Sequence, residues 1–93
     1  MHEEENATER VTADGKEYVV MRHAKERASE RFGVPMEEVS QWIRLCLENV
    51  KMTEDLYDDD GSYRGTAYDS AAHNVRFIMK DDRIIVTLYE IVQ

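Results

Sequence analysis

The chain reads as a single α+β domain, with two consecutive helices packed on one face of an antiparallel sheet of four or five strands. Three observations predict this. Residues 35–50 repeat apolar side chains at helical spacing. The last third alternates apolar and polar residues and is broken by Asp-Gly and Asp-Asp turns. At 93 residues, the chain has enough length for one modest core and no second one.

The elements follow in order β-α-α-β-β-β-β. Residues 1–13 are polar and acidic and are expected to form a flexible tail, leaving 14–93 as the folded domain. Asp14-Gly15 signals a turn, and Tyr18 to Met21 is a short strand rich in β-branched and aromatic residues. A first helix spans Arg22 to Phe32 and stops at Gly33, which adopts the left-handed conformation without a Cβ penalty. Pro35 opens a second helix, and Glu37 and Glu38 suit its first turn. Its apolar face carries Met36, Val39, Trp42, Ile43, Cys46, Leu47 and Val50, which makes Cys46 and Trp42 core residues. Residues 51–57 and 63–68 form strands around Asp58-Asp59-Asp60-Gly61, where Asp60-Gly61 suits a tight hairpin, and a bulge is expected at Gly65. Residues 75–80 and 84–92 close the sheet, and the last of these, the most apolar, is expected to be central. Short turns favour antiparallel neighbours, and two successive helices must bury their stripes on one sheet face.

The formal net charge is −8 and is unevenly placed. Residues 1–17 hold six acids and two bases, and residues 53–74 hold six acids and one base, whereas 18–52 are nearly balanced. Such a protein repels phosphate backbones at long range and favours basic partners. The single cysteine excludes an intrachain disulfide and suits a reducing cytoplasm. No apolar run approaches the ~20 residues of a membrane span. No His/Cys pair has zinc spacing, and Asp58–Asp60 lacks the glycine and glutamate positions of a calcium loop, so neither a metal nor another cofactor is expected.

The first helix carries the candidate chemistry. His23, Arg27 and Arg31 recur every four residues and line up along one face, beside a small apolar stripe of Ala24, Ala28 and Phe32. An imidazole and two guanidinium forks are the groups needed to move a proton and hold a phosphate. On the last strand, alternation sets Thr87 and Tyr89 on one side, facing the same groove, and Val86 and Leu88 on the other. A structural role competes with this reading: the same cations are within reach of Glu26, Glu30 and the acidic loop at Asp58, Asp59 and Asp60.

A strand, a helix reading His-x3-Arg-x3-Arg, a second amphipathic helix and a closing hairpin ending I-I-V-T-L-Y resemble small bacterial and phage domains related to BrnT and to the RelE/ParE toxin superfamily. The matching residues are His23, Ala24, Arg27, Arg31 and Gly33, then Ile85, Val86, Thr87 and Tyr89, and the resemblance covers about Tyr18 to Tyr89. It implies a RelE-like fold. The better-known toxins of that superfamily cleave mRNA, often on the ribosome, and are neutralised by an antitoxin. They are usually basic, and this chain is acidic.

The resulting expectation is a small cytoplasmic protein-binding or regulatory protein of a mobile element, with no membrane partner. Its acidic residues Glu54, Asp55 and Asp58 to Asp60 would meet a basic surface or a cognate antitoxin. The alternative is a metal-independent endoribonuclease of a toxin-antitoxin system, with His23, Arg27, Arg31 and Tyr89 as its catalytic groups and Thr87 beside them. If the closing strand lies at a sheet edge, it could pair across a homodimer.

Overall fold

The structure, a computed structural model, describes residues 9–81 and 83–91. Among the described residues it is an α+β fold with six strands and two α-helices. The strands are β1 (Glu9–Ala13), β2 (Lys16–Val20), β3 (Lys51–Tyr57), β4 (Tyr63–Ser70), β5 (Val75–Lys80) and β6 (Ile84–Glu90), with helices α1 (Arg22–Phe32) and α2 (Val39–Leu47) between β2 and β3. The sheet order is β1-β2-β6-β5-β4-β3.

Local chemistry accounts for the boundaries. Asp14 and Gly15 both have positive φ, 54° and 77°, so the Asp-Gly pair closes a tight β1–β2 hairpin. Gly33, at φ 70°, ends α1 and donates its N–H to the Ser29 carbonyl at 3.0 Å. After Pro35 a single 3₁₀ turn, Met36–Glu38, precedes α2, so the second helix begins later than its apolar period suggests.

Both helices bury small or branched side chains against one face of the sheet. Ala24 and Ala28 of α1 are fully buried, and the lack of bulk there lets α1 lie close along β6. Val39, Ile43, Cys46 and Leu47 of α2 complete that layer, and Phe32 packs on Trp42 with ring centroids 4.9 Å apart. From the sheet, Val20, Val75, Phe77, Met79, Ile85 and Leu88 point into the same core.

Four expectations are corrected. Residues 9–13, expected in the tail, are a paired strand whose Val11 and Ala13 enter the core; residues 1–8 lie outside the described residues. The sheet has six strands and is mixed, because β2 and β6 run parallel through Val19↔Ile84 and Val20↔Ile85. No short turn joins those two strands, so nothing local forces them antiparallel. The closing strand lies between β2 and β5, as its apolar content suggested, and not at an outer edge of the sheet, where the dimer expectation placed it; the outer edges are β1 and β3. The β3–β4 connection spans residues 58–62, as the expected strand bounds left it, but its tight turn is centred on Asp59-Asp60 and not on Asp60-Gly61: Gly61 N–H donates to the Asp58 carbonyl and Asp58 N–H to the Ser62 carbonyl.

Candidate functional site

Two adjoining concavities flank the second half of β6. The first is a groove of about 290 Å³ between α1 and β6, lined by Arg27, Arg31, Thr87, Leu88, Tyr89 and Glu90. Four candidates read from the sequence, some sixty residues apart in the chain, therefore share one groove. They meet there because β2 ends after pairing two residues of β6, and α1 then runs beside the rest of that strand.

His23 does not line the groove. It sits one turn back on α1, where its Nε2 accepts the Arg27 Nε–H at 3.3 Å. That bond requires an unprotonated Nε2, so the imidazole orients the guanidinium in its neutral form. The competing ion pairs do not form. Glu26 binds Arg22 at 3.1 Å, and Asp58 binds Arg64 at 3.2 Å. Among the described residues, neither Arg27 nor Arg31 pairs with a carboxylate, which leaves two guanidiniums facing a shared groove.

The acidic candidates form a separate region. Glu54 and Asp55 lie on β3, and Asp58, Asp59 and Asp60 in the loop that follows. Three of these five carboxylates hold the hairpin together. Asp55 accepts the Thr66 hydroxyl at 2.7 Å, which commits Thr66's only proton and makes Tyr63 the donor to Thr66. Asp58 pairs with Arg64, and Asp60 accepts the Ser62 N–H at 2.9 Å. The Asp60 carboxyl is held below its usual value by those Ser62 contacts. Glu54 and Asp59 carry no partner among the described residues. With five acids and one arginine, residues 54–64 keep a net charge of −4 whatever their internal bonds.

β3 is an edge strand on which every residue except Leu56 is exposed, Met52 by 65% and Tyr57 by 59%. Edge strands are ordinarily blunted by lysine, proline or bulges. Here Lys51 and a bulge at Thr53 protect the first half; from Glu54 the pairing to β4 is regular as far as Leu56, and a second break, with its extra residue on β4, falls before Tyr57.

The second concavity, about 480 Å³, lies under the β3–β4 hairpin on the sheet face that carries no helices. Leu56, Arg64, Ile78, Lys80 and Val86 line it, and Thr87 and Tyr89 join it to the groove beside α1. Reading the sequence alone missed it. Alternation put Val86 with Leu88, but a register break between Ile78 and Met79 leaves Val86 unpaired and turns it to the same cleft as Thr87 and Tyr89. The expected bulge at Gly65 is present one residue earlier, at Arg64.

Among the described residues, no group of three or more His, Cys, Asp or Glu side chains is placed to hold a metal ion, and no helix is long and apolar enough to cross a membrane. Comparison with protein-family models, curated proteins and solved structures returned no match.

Proposed function

We propose that this chain is a protein-binding, regulatory module of a bacterial or phage mobile element, and that it docks through the acidic β3 edge and its hairpin onto a basic partner. The observation that carries this reading is the Glu54 to Tyr57 segment. Its outer edge is exposed and pairs with no other strand among the described residues, it carries the exposed Tyr57 and follows the exposed Met52, and residues 54–64 around it have a net charge of −4. An extended basic segment added there gains main-chain hydrogen bonds from the edge and charge complementarity from the hairpin. The RelE-like description of the fold, a cytoplasmic location and, as partner, either a basic surface or a cognate antitoxin belong to the same proposal. Helices on one sheet face and the α1–β6 groove support the fold label.

The test is capture of partners on the immobilised protein, comparing two double variants. Glu54→Lys with Asp59→Lys reverses two acids that have no structural partner. Arg27→Ala with Arg31→Ala empties the groove. Loss of a basic partner in the first variant and its retention in the second is the expected result. Equal capture by both variants, or loss only in the second, would overturn the reading.

A second reading, a metal-independent endoribonuclease, is favoured by one observation: Arg27, Arg31, Thr87 and Tyr89 line a single groove, and neither guanidinium has an ion pair among the described residues. In that chemistry the arginines hold the scissile phosphate and His23, one turn away, takes a proton. Expression in bacteria tests it. Growth arrest abolished by Arg27→Ala and by His23→Ala supports it, and the absence of arrest removes it.

A further inference from the structure

We infer that the cleft beneath the β3–β4 hairpin is a binding site for a small amphipathic organic anion. Two of the sheet's three register breaks supply it. The bulge on β4 leaves Arg64 unpaired, the bulge on β6 leaves Val86 unpaired, and both residues line this one cleft. Bulges re-aim side chains and gather beside functional sites. Without its bulge, Val86 would follow the strand's alternation and turn away from Thr87 and Tyr89.

Gly65 sets the height of the roof. Its φ is 137°, and a Cβ at that position would stand 2.8 Å from Ile78 Cγ2 and 3.0 Å from the Met79 carbonyl oxygen. The hairpin is therefore seated directly on β5, with the cleft beside that contact.

The lining chemistry selects the ligand. Leu56, Ile78 and Val86 provide an apolar floor. Arg64 is neutralised by Asp58 at 3.2 Å. Lys80 is exposed and has no ion pair among the described residues, so among the charged lining residues Asp58, Arg64 and Lys80 one cation is in excess. A volume of about 480 Å³ lies within the range of small-molecule pockets. The matching ligand is one anionic head joined to a hydrocarbon or aromatic body. A carboxylate, a sulfonate and a phosphate monoester share that chemistry. Occupancy of the cleft does not depend on a partner at β3.

The probe is 8-anilinonaphthalene-1-sulfonate, with its uncharged relative N-phenyl-1-naphthylamine as the control. Saturable one-site fluorescence enhancement by the sulfonate is expected. Lys80→Met, which keeps the alkyl stem and removes the charge, should weaken it about tenfold, while Lys51→Met on the outer strand leaves it unchanged. The uncharged probe should bind the native protein and Lys80→Met equally. Amide shifts in the native protein give a readout independent of variant folding. They should move at Ile78, Lys80, Val86 and Thr87 and stay fixed around Trp42. No saturation, equal sulfonate binding by Lys80→Met, or shifts centred on the Trp42 region would each overturn the inference.

Discussion

Lys25 Nζ of α1 stands 2.6 Å from Glu9 Oε1 of β1, so the first helix is tied to the first strand. The hydrogen bond from Lys25, with a smaller contribution from Ser40, holds the Glu9 carboxyl below its usual value of 4.5. An acid depressed in the folded state stabilises the fold above its unfolded pKa, and this contribution disappears as pH falls through the folded value. Lys25 is mostly covered and Glu9 nearly half exposed, so screening limits the effect. Lys25→Met is expected to lose less than about 1 kcal/mol at neutral pH, with the difference from the native chain vanishing well below pH 4.5. Urea unfolding at both pH values checks it.

Gly65→Ala is expected to destabilise the protein by at least about 2 kcal/mol, because it combines a disfavoured positive φ with overlap against backbone. The clash is with Ile78 Cγ2 and the Met79 carbonyl oxygen, and the latter cannot rotate away. Denaturant midpoints measure the loss. The same variant should shift the amides of β5 more than those of α2.

Cys46 is buried on α2, and burial pushes its thiol up to about 12. The thiolate is the reactive form, so the native protein should react with a disulfide reagent at neutral pH only through opening of the fold. The expected outcome is slow modification whose rate rises with denaturant. Because the unfolded thiol ionises near 9 and the folded one near 12, stability should also fall as pH rises across that window.

Phe77 is fully buried at the centre of β5, between the helices and the sheet. Phe77→Ala should cost about 3–5 kcal/mol through lost burial and a cavity. Phe77→Leu, which retains most of the volume, should cost less than about 1.5 kcal/mol. Thermal and urea unfolding separate the two.

Residues that obey a local rule were legible in the sequence. Gly33 ended α1, Asp14-Gly15 closed a hairpin, β5 fell on the expected residues, and Cys46 and Ile43 entered the core. β1 was hidden because only Val11 and Ala13 face inward, too few for an alternation to stand out of an acidic run. The parallel β2–β6 pairing depends on contacts distant in sequence, which no turn chemistry encodes. At the site, the four-residue spacing of Arg27 and Arg31 correctly put them together, and Thr87 and Tyr89 joined them. Val86 was missed because one extra residue in β6 reverses the parity on which strand reading relies. Gly65, next to the bulged Arg64 of β4, was the single cue that part of the sheet departs from regular pairing.

The most direct measurement is amide hydrogen exchange of the protein alone and saturated with a captured basic partner. Docking at the acidic edge predicts new protection at the outward-pointing amides, every second residue, of Glu54 to Tyr57, with the α1 amides around Arg27 and Arg31 unchanged. Protection confined to α1 and the end of β6, with β3 exchanging as before, would contradict it.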